Sequence, residues 1–249
     1  MAPWMAQPGT FVFNQTNSAD VSNYVLTAAA AAAGWDGKAL LKATITINTG
    51  IVVSANNTAN PAFDTGVVPA GSTLELVNNG YIIGMGGAGA PANSKNVPGL
   101  PGGPALRAQA ALTVTNNGTI GGGGGGGGCA CGVDYAGYTY SVGAPGGGGQ
   151  SGRTNSLAGT GTTPSSGAVL PKNGTFADRG AGGVSYGNGS YSTVAYGGYG
   201  GTWGSNGLQG SFGASSPIAD APGGDGGAAV VGNSLVTWLA TGVRKGAIT

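Results

Sequence analysis

The sequence predicts a mainly β and irregular fold: a small α+β N-terminal module, followed by a bundle of extended glycine helices that carries binding loops at its far end. Three observations predict it. Glycine supplies 55 of 249 residues and is gathered in blocks, apolar and polar residues alternate in the first third of the chain, and a strand, Asn-Asn-Gly, strand unit recurs. With 13 prolines added, Gly and Pro exceed a quarter of the chain, which is the range of many disordered segments. Charged residues, however, are only 7%, net charge is +1 and 40% of residues are hydrophobic, so something packs.

Several classes drop out at once. No Gly-X-Y triplet persists, which excludes collagen, and no run of about 20 apolar residues exists to form a membrane-spanning helix. Residues 1–10 lack the basic and apolar regions of a secretory leader. Nine scattered Lys and Arg give no footprint for nucleic acid. There is no histidine, so Ser-His-Asp or Cys-His catalysis and every His-containing metal site are impossible. No two of the eight acids lie closer in sequence than Asp220 and Asp225. The expectation is a protein that is not an enzyme and holds neither metal nor cofactor. Cys129 and Cys131 form a C-x-C just after the longest glycine run; two thiols cannot complete a four-cysteine zinc site. They are read as buried thiols, a strained local disulfide, or ligands to a metal shared between chains.

Residues 1–83 read as one module. Val21 to Ala33 is an Ala-rich helix with Asp20 or Ser22 as N-cap and Gly34 as its stop. Ala43 to Ile47 alternates with period two, Asn48-Thr49-Gly50 turns the chain, and Ile51 to Val53 continues as strand, with the helix packed over the sheet. Leu74 to Gly84 then matches Leu112 to Gly121, each reading as strand, Asn-Asn-Gly corner, short strand and glycine-rich excursion. A looser third copy starts at Val230 and runs to Leu239. The copies are expected to be neighbouring rungs of one β structure, with residues 229–249 returning to the base.

Residues 84–228 hold most of the glycine, in blocks with unequal spacers that argue against a solenoid of constant rungs there. Ordering a residue costs about 1–2 kcal/mol of backbone entropy, and glycine contributes no side-chain burial in return. The compensation available is the backbone itself. An extended threefold helix rises about 3.1 Å per residue with every N–H and C=O pointing outward, so rods without Cβ atoms can approach and bond laterally. Gly121 to Gly128 would form a rod about 25 Å long, suited to the centre of such a bundle. G-x-G-x-x-G is met automatically by polyglycine and carries no phosphate-loop meaning.

Seven of nine tyrosines fall between residues 135 and 199. Tyr135, Tyr138, Tyr140, Tyr186, Tyr191, Tyr196 and Tyr199, with Trp203 after them, sit in short spacers rich in Ser, Gly and Asn. That vocabulary belongs to binding loops, because Tyr offers a large rigid contact and small residues let the backbone adapt. These eight aromatics are the candidate receptor-binding residues.

The blocks GMGGAG (84–89), GTIGGGGGGGG (118–128), GAPGGGG (143–149) and GGDGG (223–227), alternating with Tyr/Ser/Asn spacers, resemble the Gly-rich receptor-recognising adhesins at the distal tip of long tail fibres in T-even-like bacteriophages. The likeness covers the middle three-fifths of the chain. It implies a sandwich of polyglycine-II helices whose loops, here 134–141, 153–179 and 186–196, touch an outer-membrane protein or lipopolysaccharide of the host. It also implies that residues 1–83 dock on the tail-fibre protein, with Trp4 and Met5 as an apolar contact, and that the protein is made in the host cytoplasm and carried on the virion. The strand-like N-terminal part and the Asn-Asn-Gly repeats also look like C-terminal domains of other phage tail proteins. An ice-binding face would need a regular array of small residues, which the unequal aromatic spacers oppose; a purely structural assembly protein is the third reading.

Overall fold

Apolar and polar residues alternate over 10–17, 40–47, 73–78 and 112–116, which sends one set of side chains to each face of an extended segment. In the computed structural model these segments stack side by side and in register. The structure describes residues 9–92, 97–131, 143–160, 169–186, 194–212 and 221–249. The first turn of the stack is β1 (Thr10–Asn17), β2 (Val21–Ser22) and β3 (Tyr24–Val25), followed by helix α1 (Leu26–Ala32). The second is β4 (Leu40–Ile47), β5 (Val52–Ser54) and β6 (Phe63–Asp64), and the third β7 (Thr73–Asn78), β8 (Tyr81–Ile83) and β9 (Leu106–Arg107). The fourth opens with β10 (Leu112–Asn116) and β11 (Thr119–Gly121). Short strands β12 (Ala130–Cys131), β13 (Gly143–Ala144), β14 (Val184–Tyr186), β15 (Val194–Tyr196) and β16 (Ser211–Phe212) follow within the glycine-rich part. Strand β17 (Val230–Val231) closes the fourth turn, and β18 (Val236–Ala240) and β19 (Val243–Lys245) make the fifth.

Three parallel sheets result, ordered β1-β4-β7-β10-β18, β2-β5-β8-β11-β19 and β3-β6-β9-β17. Together they form a three-sided parallel β-solenoid around an apolar interior. Phe63, Ile45, Leu76, Ile82, Leu106, Val114 and Ile120 are fully buried there, each burial being worth about 1.5–3 kcal/mol. The Asn-Asn-Gly repeats turn the corner between the first two sheets. Asn78 donates through Nδ2 to Asn116 Oδ1 at 2.8 Å, and Asn116 Nδ2 donates to the Thr241 carbonyl at 2.7 Å, so each buried amide feeds the coil above it. On the third sheet, Asp64 accepts from Arg107 Nε at 3.0 Å, Gln109 Nε2 at 2.7 Å and the Gly66 amide at 3.0 Å. Burial alone would raise the Asp64 pKa; these donors and the Arg107 charge outweigh it and hold the carboxyl below the ordinary aspartate range.

Two expectations are corrected. The helix covers only the last part of Val21 to Ala33, because Val21 and Ser22 pair with Val53 and Ser54, Asn23 takes φ +50°, and Tyr24 stacks on Phe63 with centroids 5.1 Å apart. Pairing with the neighbouring coil overrides helix propensity. Asp20 accordingly accepts from the Val52 amide instead of capping the helix, whereas the chain does leave the helix at Gly34, with φ +104°. The third repeat is also shifted: Val236, Thr237 and Trp238 lie beside Leu112, Thr113 and Val114, while Val230 and Val231 pair with Leu106 and Arg107.

The glycine-rich chain leaves the solenoid twice at one place, running out from the end of β8 as residues 84–105 and from the end of β11 as residues 122–229, then re-entering the third sheet at β9 and β17. Residues 106–121 between them belong to the solenoid. The excursions pair in antiparallel fashion: Leu100 N donates to Ala88 O, Gly127 N to Gly147 O, Ser156 N to Gly174 O, Gly200 N to Gly180 O and Gly207 N to Gly224 O.

At the centre runs Gly122 to Gly128, whose hydrogen bonds repeat every three residues. The Gly121, Gly124 and Gly127 carbonyls accept from Gly84, Gly87 and Ala90; those of Gly122, Gly125 and Gly128 from Gly204, Gly201 and Gly198; and those of Gly123 and Gly126 from Gly227 and Gly224. Every amide from Gly122 to Gly128 donates as well, to Lys245, Gly103, Gln150, Ser205, Leu100, Gly147 and Leu208 in turn. No side chain would fit: a Cβ on Gly125 would stand 1.9 Å from the Gly224 carbonyl oxygen, and one on Gly126 1.9 Å from that of Ala88.

Gly125→Ala is therefore expected to destabilise the fold by about 3 kcal/mol or more, because the clashing atom is backbone held by its own bonds. Gly9→Ala, where nothing lies within 4 Å of the added atom, serves as the control. Thermal unfolding of the two variants checks this. The low Asp64 pKa gives a second expectation. Its contribution to stability is present above the unfolded-state value near pH 4 and is lost as pH falls below it through the folded-state value. Acid titration of Asp64→Asn should accordingly show a shallower loss of stability below pH 4 than the parent.

Candidate receptor-binding end

The end of the glycine bundle remote from the solenoid is built from hairpin ends and small side chains. Ala92 N donates to Thr160 O, Gly146 N to Ala90 O, and Ala221 N to Cys129 O, which ties neighbouring hairpins together there. Ala90, Cys129 and Ala221 form one buried cluster, and Ala130, Ala144 and Ala195 another. Cys129 is fully buried within this interior. Ala92 and Thr160, Cys131 and Gly143, Tyr186 and Val194, and Phe212 and Ala195 lie beside one another at this end.

On one flank, β14, β15 and β16 make a short antiparallel sheet. Val184 lies opposite Tyr196, and Tyr186 opposite Val194; Ser185 and Ala195 point inward and are buried. Alternation then puts both tyrosines on the outer face, diagonal to one another, with 41% of Tyr186 and 47% of Tyr196 exposed. Val169 bridges Val184 through a pair of backbone bonds, which extends the same face, and the next residue, Leu170, is exposed. Tyr199 lies further back toward the solenoid, exposed, with the Arg179 guanidinium 5.3 Å from its ring centroid.

Trp203 lies elsewhere. It occupies a turn at the solenoid end of the bundle, with its ring 5.2 Å from Phe176 and 6.3 Å from Tyr81, and its indole N–H donates to the Ser151 carbonyl at 3.1 Å. Tyr135, Tyr138, Tyr140 and Tyr191 lie outside the described residues, as do Trp4 and Met5. The span 153–179, read from sequence as a loop, contains paired segments of the bundle: Ser156 and Gly174 exchange backbone bonds, and Gly148 N donates to Lys172 O. Val169 and Leu170 fall within the span 153–179 but were not singled out from sequence; an apolar pair inside a polar, glycine-rich stretch was the signal available.

A family model described as phage tail fibre adhesin Gp38 matches residues 11–249. The chain belongs to the Gp38 phage tail fibre adhesin family. Among solved structures, the adhesin is similar to a chain in the crystal structure of the gp37-gp38 adhesin tip complex of the bacteriophage S16 long tail fiber. The likeness has a TM-score of 0.58 at 24% identity and covers 97% of this chain and 82% of that one, which supports the fold. No curated protein matches the adhesin. Membership implies a phage virion component and a structural or binding protein rather than an enzyme. Among the described residues no group of His, Cys, Asp and Glu could hold a metal ion, and no helix is long and apolar enough to cross a membrane.

Because Tyr186 and Tyr196 stand on an outer face with 41% and 47% of their surface exposed, Tyr186→Ala and Tyr196→Ala in the adhesin should each leave the chain folded at a cost of about 1 kcal/mol. Denaturant unfolding checks this, and it qualifies both variants for binding experiments.

Proposed function

We propose that the chain recognises an outer-membrane protein or lipopolysaccharide on a bacterial host through the remote end of its glycine bundle, from the distal tip of a tail fibre. The observation that carries this reading is the face that Tyr186, Tyr196, Val169 and Leu170 expose at the end of the bundle remote from the solenoid. Connections there can vary in length and side chain without disturbing the bonded segments beneath them. We assign the contacts to Tyr186, Tyr196 and Tyr199, and to Tyr135, Tyr138, Tyr140 and Tyr191 in the connections. A rigid support reduces the ordering cost of association, and tyrosine gives much contact area for little entropy. We further assign the glycine segments to polyglycine-II rods; the three-residue period of their lateral bonds supports this.

The solenoid is the natural attachment module, since both excursions leave it and return to it. On this reading its partner is a tail-fibre protein, as gp37 is for gp38 in the S16 complex, and Trp4 and Met5 add apolar contact. Family membership favours adhesion over the ice-binding and purely structural alternatives.

Adsorption to susceptible cells tests the recognition end. A Tyr186→Ala/Tyr196→Ala double variant and a Tyr138→Ala/Tyr191→Ala double variant are each expected to lower affinity by about tenfold or more. Undiminished binding by both, with correct folding, contradicts the assignment. A panel of bacterial outer-membrane mutants distinguishes protein from lipopolysaccharide. Co-purification with the tail-fibre protein should weaken in a Trp4→Ala/Met5→Ala variant that still adsorbs as an isolated chain.

A further inference from the structure

The turns at the solenoid end of the bundle converge on the outer face of the second sheet. Trp203, Phe176 and Tyr81 form one aromatic group, with Phe176 edge-on to Tyr81 at 5.3 Å and an interplanar angle of 87°. Two cations close it. Lys245 Nζ lies 5.2 Å from the Trp203 ring centroid and the Arg153 guanidinium 5.1 Å from that of Phe176, while Arg153 Nε pairs with Asp20 at 2.7 Å. Tyr81, Asp20 and Lys245 belong to the solenoid, whereas Phe176, Trp203 and Arg153 belong to the bundle.

Gln150 ties the turns to each other and to the central segment. Its backbone amide donates to Gly201 O at 2.8 Å and its carbonyl accepts from Gly124 N at 2.8 Å. Its side-chain Nε2 donates to the Phe176 carbonyl at 3.0 Å and its Oε1 accepts from the Trp203 amide at 3.3 Å. Trp203 is thus held through its backbone amide, its indole N–H and its ring, and is half-buried.

We propose that Trp203, Phe176 and Gln150 are positioning residues that lock the bundle onto the solenoid at one angle, so that the binding end is presented in a fixed direction relative to the fibre. The structural half stands on the contacts above; the half that concerns binding rests on the adhesin reading. Where the excursions join the solenoid, the freedom of one part to rotate against the other is otherwise limited by the chain crossings, the backbone bonds near Gly84, Gly122 and Gly227, and the close approaches of Gly103 to Thr58, Gly152 to Ser54 and Gly204 to Gly246. Aromatic rings wedged between them, with a cation over each outer ring, remove that freedom.

The test compares Trp203→Ala, Trp203→Phe and the parent by amide hydrogen exchange over 147–151 and 198–205 and by the rate of adsorption to susceptible cells. Trp203→Ala is expected to speed exchange in both segments by about tenfold and to slow adsorption about tenfold, with Trp203→Phe restoring most of each. Unchanged exchange overturns the lock. Faster exchange with unchanged adsorption overturns the positioning role. Slower adsorption with unchanged exchange, and no rescue by phenylalanine, makes Trp203 a receptor contact instead. Should Trp203→Ala fail to fold, an Arg153→Gln/Lys245→Gln pair removes only the cations. About twofold to threefold faster exchange in the same segments is then expected, and no change overturns the lock. If the parent adsorbs to no cell, the recognition reading fails, while the exchange measurements still decide whether the lock exists.

Discussion

The structure depends on satisfying backbone amides where almost no side chains exist to cover them. A buried N–H or C=O without a partner costs about 1–3 kcal/mol, roughly what each completed bond returns or more, so a partly bonded glycine bundle would not hold. Gly122 to Gly128 meets this constraint at every amide and every carbonyl, from the segments packed around it. The same contacts explain why the run is glycine throughout. Each of its positions would bring an added Cβ within 2.0 Å of a neighbouring carbonyl oxygen. Composition and hydrogen bonding are two sides of one requirement: the segments must come close to bond, and only glycine lets them.

The solenoid supplies what the bundle lacks, namely a register. Strands β8 and β11 pair in parallel with Ile83 beside Gly121, and the bonding continues beyond them as Gly84 to Gly121, Gly87 to Gly124 and Ala90 to Gly127. The conventional hydrophobic core, from Phe63 to Ile120, therefore fixes where the first two glycine segments start and which way they run. The remaining segments add in antiparallel fashion, with turns at Thr175–Asp178 and Thr202–Ser205 toward the solenoid and strands β14, β15 and β16 toward the remote end. A rigid base and an exposed tip follow from one arrangement, and both suit an adhesin.

How much of this was legible in the sequence varied by element. The Asn-Asn-Gly repeats were readable because Asn78 and Asn116 do local work at a corner, bonding across coils in a way that leaves a fixed spacing. The central run was readable from its length. The helix was half legible: alanines 28–32 specify it locally, but Val21, Ser22 and Tyr24 were captured by strands far along the chain, which no local propensity reports. The place of Trp203 was not legible for a similar reason. In sequence it follows Tyr196 and Tyr199 by a few residues, yet the chain between them runs extended along the central segment, with Gly198, Gly201 and Gly204 bonded to Gly128, Gly125 and Gly122, which leaves Tyr196 toward the tip and carries the tryptophan to the solenoid. The true third repeat at Val236 was hidden because a Thr-Gly pair replaces Asn-Gly at its corner, with Gly242 at φ +49°.

Residue-resolved amide exchange of Gly122 to Gly128 in the intact chain tests the central claim most directly. The account predicts protection comparable to that of the solenoid strands at Ile45 and Ile82, since these amides open only when the surrounding segments separate. Exchange of the glycine run at the rate of an unstructured chain, with the solenoid still protected, would contradict it.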